Sequence, residues 1–215
     1  MNLIFLGAPG AGKGTAAGKL SDLLGIPHIS TGDIFRHNIS TGTELGKLAD
    51  QYISKGCLVP DDVTIGMVKA RLSEPDCEKG FVLDGFPRTL TQASALDRIM
   101  EENGREIDRA VDIVVSEASL VERLTNRRVC AGCKLSYNLK VHNITGDVCP
   151  VCGGTLIMRE DDREEVIAAR MVAYHKETEP LIDYYRRLRK LVKVNSEERV
   201  EDTFANILAA LELKV

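Results

Sequence analysis

The chain has no tryptophan, and aromatic residues make up only 5% of it. Surfaces that bind single-stranded nucleic acid stack bases on aromatic side chains, so this scarcity argues against such a role. Charge of either sign is not in excess: 28 Lys and Arg stand against 32 Asp and Glu, a formal net charge of −4. A slightly acidic chain has no overall field to attract polyanions or anionic membranes. Any cation needed for a phosphate must be gathered locally. No apolar run approaches the roughly 20 residues that span a bilayer. The opening segment from Met1 to Gly10 is apolar, but it carries no basic residue and glycine and proline break it at once. It reads as a buried strand rather than a signal peptide, and a cytoplasmic protein is expected. Six cysteines in that compartment argue against a disulfide framework. Cys57 and Cys77 stand alone and read as small, partly buried apolar residues.

What is present points to one core with insertions. Hydrophobic residues form 44% of 215, enough for one sizeable core. Strand-like runs are expected at 2–6, 27–30, 81–84, 111–115 and 191–194. Helical patterns are expected at 12–24, 61–72, 91–103, 119–126, 162–188 and 200–211. In the first helix Ala16, Ala17, Leu20, Leu23 and Leu24 fall on one face. Strands alternating with helices imply an α/β fold with a parallel five-stranded sheet, whose ligands gather beyond the carboxyl ends of the strands. Two stretches interrupt the alternation. Residues 31–59 look mostly helical, with Gly42, Gly46 and Gly56 as breaks. Residues 127–161 hold paired cysteines and β-type residues. The division expected is a core of 1–30, 60–126 and 162–215, with insertions at 31–59 and 127–161.

The first strand runs into Gly7-Ala8-Pro9-Gly10-Ala11-Gly12-Lys13-Gly14-Thr15, and a helix follows. Glycines let the backbone wrap a phosphate with its N–H groups inward, and the helix adds its positive end. Lys13 supplies a charge for the outer phosphates. The generic loop has Ser or Thr directly after the lysine to hold Mg²⁺. Here Gly14 takes that place and Thr15 follows, so a Mg²⁺ contact is expected to run through water.

Cys130-Ala131-Gly132-Cys133 and Cys149-Pro150-Val151-Cys152 each set two thiols two residues apart. Two such knuckles close a tetrahedral metal site. Four thiolates leave no open position, so the metal is expected to be structural. Zinc is expected, and iron suits the same sulfur tetrahedron. Residues 134–148 between the pairs suit a β-hairpin, and Gly153-Gly154 suits a return turn.

The glycine loop resembles the Gly-x-Pro-Gly-x-Gly-Lys-Gly-Thr loop of the adenylate kinases, within the nucleoside monophosphate kinases. The likeness extends through Ile29-Ser30-Thr31-Gly32-Asp33-Ile34-Phe35-Arg36, Gly56-Cys57-Leu58-Val59-Pro60-Asp61-Asp62-Val63, and Asp84-Gly85-Phe86-Pro87-Arg88-Thr89 with Gln92. It continues through Arg123, Arg127, the cysteine pairs, Arg159-Glu160-Asp161-Asp162 and Arg170, as in the long-lid, zinc-containing bacterial members. The resemblance implies a P-loop fold and Mg-dependent transfer of the γ-phosphoryl group of ATP to AMP, giving two ADP. It implies that Lys13, Arg88, Arg123, Arg159 and Arg170 converge on the phosphates, where cations do most of the work. It further implies an ATP site at Gly10, Ala11, Gly12, Lys13, Gly14, Thr15, Arg123 and Arg127, with Arg127 stacked on adenine. An AMP site follows at Thr31, Arg36, Leu58, Val59, Gly85, Arg88, Gln92, Arg159 and Arg170. Asp84 would hold the Mg²⁺ water shell, and Asp161 and Asp162 would pin a closed lid. A monomer is implied as well. From the residues alone, Asp161-Asp162 also suits a helix cap, and Asp33 a turn or cap. The histidines, His28 among them, read as structural or solvated. Three rivals remain at this point: a kinase using GTP, UMP or CMP, a zinc-ribbon nucleic-acid binder, and an inactive regulatory subunit.

Overall fold

The computed structural model describes residues 1–197 and 199–213. Its main sheet is built from β1 (Asn2–Leu6), β2 (His28–Ser30), β3 (Phe81–Asp84), β4 (Arg109–Val114) and a strand at Leu191–Asn195, β8 in chain order. Three further strands form a separate sheet: β5 (Arg127–Cys130), β6 (Ser136–Asn138) and β7 (Leu156–Ile157). The main sheet is wholly parallel, in the order β2-β3-β1-β4-β8. Parallel strands buried on both faces are nearly continuous apolar runs, and β1 reads so. Leu3 and Phe5 pack toward one face, Ile4 and Leu6 toward the other, all 3% exposed or less.

Nine α-helices connect and cover the described residues: α1 (Lys13–Leu24), α2 (Thr31–Thr41), α3 (Glu44–Ile53), α4 (Asp61–Leu72), α5 (Leu90–Glu102), α6 (Glu117–Thr125), α7 (Glu164–Ala173), α8 (Pro180–Arg187) and α9 (Val200–Ala210). Helices α1 and α9 pack on one face of the main sheet, and α4, α5 and α8 on the other. The neighbours of β1 lie on its two sides, so their connections diverge there and open a crevice at its carboxyl end. The register sets Phe5 beside Asp84 and Leu6 beside Asp112, which brings the loop after β1 next to the ends of β3 and β4.

Local chemistry adjusts several expectations. Leu23 is 45% exposed; the buried stripe of α1 is Ala16, Ala17 and Leu20. Gly42 and Gly56 do end segments in left-handed conformations, but Gly46 lies inside α3. A Cβ on Gly46 would stand 2.1 Å from the Asn38 carbonyl oxygen, so that glycine marks a close helix crossing rather than a break. The long helix expected over 162–188 is divided by a π turn at Tyr174–Thr178 before Pro180. Proline lacks the N–H that would continue the α ladder, and the turn absorbs the mismatch. Residues 134–148 are not a hairpin by themselves. The hairpin is β5–β6, closed by the first cysteine pair, and β7 returns along the other edge of β5.

Candidate active site and metal centre

The loop between β1 and α1 takes left-handed φ at Gly7, Gly10 and Gly12. At Gly7 no side chain fits, because a Cβ would lie 2.6 Å from the Ile113 carbonyl oxygen. Helix α1 starts without a side-chain cap, so its first N–H groups remain available to an anion. Lys13 Nζ donates to the carbonyls of Gly7 at 2.7 Å and Ala8 at 2.9 Å. Its amine keeps some solvent contact yet is hemmed in by protein. That desolvation, with the cations Arg88, Arg170 and Arg127, draws its pKa down to about 8 against the opposing pull of Asp84. The glycine after Lys13 has a local reason: a Cβ on Gly14 would approach Asp84 Oδ2 to 3.2 Å. Thr15 is exposed.

Asp84 ends β3 between β1 and β2. Burial works to raise its pKa, but the His28 imidazole, Lys13 and Arg88 outweigh it and hold the carboxyl below its ordinary value. His28 Nε2 lies 3.6 Å from Asp84 Oδ2, so this histidine stands at the site. Arg88 donates from Nε to the Gly85 carbonyl at 2.9 Å, and its own carbonyl accepts from Thr178 Oγ1 at 2.9 Å. Burial first, then Arg170, lowers the Arg88 guanidinium to about 10. Among the described residues neither Lys13 nor Arg88 has a carboxylate within salt-bridge distance. Both are charged near neutral pH and both point into clefts.

Two clefts adjoin here. One, of about 590 Å³, is lined by Thr31, Arg36, Leu58, Val59, Gly85, Arg88, Gln92 and Arg170, with Phe35, Ile53 and Thr64. The other, of about 520 Å³, is lined by Gly7, Pro9, Lys13, Arg88, Arg170, Tyr174 and Thr178. They share Gly56, Leu58, Gly85, Arg88 and Arg170. Thr31 Oγ1 donates to the Gly85 carbonyl at 2.8 Å and fixes the wall between α2 and the end of β3. Ser30 caps α2; Asp33 pairs with Arg36 at 2.6 Å, and that cation outweighs burial to lower its carboxyl pKa.

The remaining arginines divide. Arg127, on β5, makes a two-pronged pair with Asp162, Nε to Oδ2 at 2.7 Å and Nη2 to Oδ1 at 2.5 Å. The pair occupies the edge of the guanidinium; stacking would use its face. Arg170 on α7 reaches Asp161 Oδ2 and Asp162 Oδ1, each at 3.1 Å. Helix α7 is capped at Arg163 with no side-chain hydrogen bond, so Asp161 and Asp162 are ion-pair residues and not caps. Burial, then Arg36 and Arg127, lowers Arg159 to about 10. Arg123 stands apart: its guanidinium donates to the Ser196 carbonyl at 2.5 Å, and Ser196 Oγ lies 3.4 Å from the Ala11 carbonyl. Through Ser196 it is linked to the glycine loop.

The small sheet carries the four cysteines, whose Sγ atoms all lie within 4.8 Å of one another. A tetrahedral zinc with Zn–S bonds of about 2.3 Å has S···S edges of about 3.8 Å. Cys130–Cys152 at 3.3 Å and Cys133–Cys149 at 3.7 Å are close to that frame. The Tyr137 hydroxyl lies 3.3 Å from Cys149 Sγ, and backbone N–H groups of Leu135, Val151, Cys152 and Gly154 face the sulfurs. Such donors stabilise thiolates, as an outer shell does around a metal. A Cβ on Gly154 would press to 3.1 Å from Cys130 Sγ. The residues fit a structural metal ion. Of the solitary cysteines, Cys77 is buried and Cys57 is exposed on the rim of the larger cleft.

Sequence reasoning missed three groups at this site: His28, Thr178 and Asp61. The last accepts hydrogen bonds from Gln92 and Thr89 across 31 and 28 positions. Only the alternation of strands could have signalled His28, since it begins the strand beside β3.

A family model described as adenylate kinase matches residues 5–190. A protein named adenylate kinase from Acetivibrio thermocellus is 51% identical over 216 residues, covering 98% of each chain. One from Caldicellulosiruptor bescii is 50% identical over 215 residues and the full length of both. One from Archaeoglobus fulgidus is 52% identical over 213 residues, 99% of this chain and 98% of that one.

Proposed function

The chain belongs to the adenylate kinase family, and from that premise we propose that its adjoining clefts hold two nucleotides at once and pass the γ-phosphoryl group of ATP to AMP, giving two ADP. The observation that carries this is the meeting of the two clefts at Arg88 and Arg170, where among the described residues neither Lys13 nor Arg88 has a carboxylate within salt-bridge distance. Hemmed-in cations without a direct salt bridge favour a polyanion, and a transferring phosphoryl group spreads negative charge over its oxygens.

In this reading the glycine loop, Gly10 to Thr15, holds the donor phosphates through its N–H groups and Lys13. The cleft beneath residues 31–59 holds AMP, with Arg36 and Arg88 on its phosphate and Thr31, Leu58, Val59, Gly85 and Gln92 around its base. Arginine suits the phosphate because its planar fork matches two oxygens at once. Residues 127–161 act as a lid on a core of 1–30, 60–126 and 162–215. Closure expels water, which would otherwise take the phosphoryl group, and carries Arg159 toward Arg170, which already lines both clefts. Arg127 would cover the donor base, and Arg123, linked to the loop through Ser196, would join Lys13 on the donor phosphates. Asp161 and Asp162 would pin the closed lid. Transfer is direct and in line: the AMP oxygen is already ionised, so no base and no phosphoenzyme are needed. Asp84 would hold Mg²⁺ through its water shell, and the ion would supply neutralising charge for the phosphates. Cys130, Cys133, Cys149 and Cys152 would hold zinc, which stiffens the lid. A cytoplasmic monomer is the working form we favour, since every proposed group comes from one chain; among the described residues no helix is long and apolar enough to cross a membrane.

A coupled assay of ADP formation from ATP and AMP tests the reading. Lys13→Ala and Arg88→Ala should each lower kcat by roughly 10²–10³, as loss of a charge-stabilising group does. Phosphorylation of UMP or CMP in place of AMP would overturn the acceptor assignment. Binding of a single nucleotide, with no tight binding of two adenosines joined through a phosphate chain, would overturn the two-site arrangement.

A further inference from the structure

Gln92 is 2% exposed and lines the larger cleft, yet both ends of its amide are already engaged. Oε1 accepts from the Arg88 backbone N–H at 2.7 Å, and Nε2 donates to Asp61 Oδ1 at 2.7 Å. The other oxygen of Asp61 accepts from Thr89 Oγ1 at 3.0 Å, and Thr89 caps α5 by accepting from Gln92 N at 3.1 Å. These partners fix the amide by chemistry. A backbone N–H can only donate and a carboxylate can only accept. Turned end for end, the amide would set oxygen against carboxylate and NH₂ against N–H. One Nε2 hydrogen and one Oε1 lone pair remain for the cleft.

We propose that Asp61 is a specificity-determining residue: by fixing which end of the Gln92 amide meets the acceptor base, it selects a 6-aminopurine over a 6-oxopurine. This rests on the reading above that Gln92 meets that base. Adenine offers an acceptor at N1 and a donor at its 6-amino group. A 6-oxopurine offers the reverse, a donor at N1 and an acceptor at O6. A free amide can serve either by rotating about its last bond, and so discriminates poorly. A pinned amide presents one order, and the wrong base leaves buried polar groups unpaired, which is how a hydrogen-bonding site rejects an analogue. Asp61 does this from the first turn of α4, immediately after the cleft-lining Leu58 and Val59. It contacts the amide and not the nucleotide, so its role is positioning.

The test compares AMP and inosine monophosphate as acceptors with ATP held constant, in the full chain and in Asp61→Asn, Thr89→Ala and Gln92→Ala. Asparagine keeps the size of Asp61 but has a donor as well as an acceptor, so it no longer selects an orientation and only the Arg88 N–H still does. The ratio of kcat/KM for AMP to that for inosine monophosphate should fall about tenfold in Asp61→Asn, the worth of one charge-assisted hydrogen bond. The change should lie in KM, with kcat for AMP little altered. Thr89→Ala, which removes the other arm of the carboxylate's grip, should lower the melting temperature and leave the ratio alone. Because both acceptors are read in one preparation, the ratio is insensitive to any unfolded fraction. An unchanged ratio in Asp61→Asn, with discrimination lost in Gln92→Ala, would reduce Asp61 to a strap between helices and overturn the proposal. An equal fall in Thr89→Ala would overturn it too, by tracing the effect to general loosening. An unchanged ratio in Gln92→Ala would instead sink the placement of Gln92 at the base.

Discussion

The two sheets of this molecule are held together by different means. The five-stranded sheet is clothed on both faces, and Phe81, Val82, Leu83, Ala110 and Val111 are fully buried. The three-stranded sheet has a buried cluster of only Cys130, Tyr137, Cys149 and Leu156, with Ile144 against it. Two of those four are sulfur ligands of the candidate metal centre. Around it Val141, Val148, Val151 and Ile157 stay exposed. A segment of some thirty residues cannot bury enough apolar surface to offset its conformational entropy, and a metal clasp at the four cysteines would supply the difference. The lesson is that an appendage can be made rigid without being made large, which would suit the lid proposed above.

The largest effect expected from this contrast is loss of the small sheet alone. Stripping the metal with a chelator, or making Cys149→Ser, should abolish amide-exchange protection across 127–157 while leaving 81–84 and 109–114 protected. Structural zinc sites contribute on the order of 10 kcal/mol in small domains, against about 2 kcal/mol for one buried apolar side chain, and two of the four buried residues here are themselves sulfur ligands. The reciprocal variant, Leu83→Ala, should cost about 3 kcal/mol and lower global stability. It should leave one metal per chain. If the chelator unfolded both sheets together, or neither, the contrast would be wrong.

How much of this was legible in the sequence follows from the range of the interactions. The glycine loop and the cysteine pairs are local patterns, in which spacing along the chain is itself the geometry. Lys13 and the four cysteines could therefore be read directly. Gly46 looked like a break because a sequence cannot tell a glycine that frees the backbone from one that lets Asn38 come close. Asp161 and Asp162 precede a helix and suit a cap by position; only the arrival of Arg127 and Arg170 from other elements turns them into ion-pair residues. Asp61 stands out in the sequence only as one member of the stretch from Gly56 to Val63, because its partner Gln92 lies on a different helix and nothing local marks the pair. The π turn at Tyr174–Thr178 was hidden by a helical pattern continuous through Pro180.

A smaller effect is expected where the two bodies are joined. Asp162 has no side-chain exposure, and it binds Arg127 of the small sheet and Arg170 of α7 together. Asp162→Ala leaves two guanidinium groups without their shared acceptor. Breaking a buried pair costs about 3–5 kcal/mol, and the 21% and 16% exposure of the arginine side chains lets water return part of that. We expect a loss of about 2 kcal/mol, read as a lower melting temperature and earlier exchange in β5, with metal content unchanged. Loss of the metal in this variant would mean that the joint, and not the cysteines, organises the small sheet.

The smallest effect concerns the charge that the main sheet keeps ready without a partner. Burial and neighbouring cations lower Lys13 from 10.5 to about 8. Between these values the folded chain holds fewer protons than the unfolded one, so this group's contribution to stability rises with pH across that window. Below it, the penalty of keeping a hemmed-in ammonium is present in full. A triphosphate in the glycine loop reverses the balance by giving the ammonium its counter-charge. At pH 7 the amine is already charged, and ATP binding should take up almost no proton through it. At pH 9 most of the amine is neutral, and binding should take up about 0.9 proton and weaken by about tenfold, as one unit between pH and pKa requires. Calorimetry in buffers of different ionisation enthalpy reads the uptake directly. Lys13→Arg, which keeps its charge throughout this range, should abolish it. Equal uptake in both chains would assign the proton to another group and leave Lys13 an ordinary, solvated lysine.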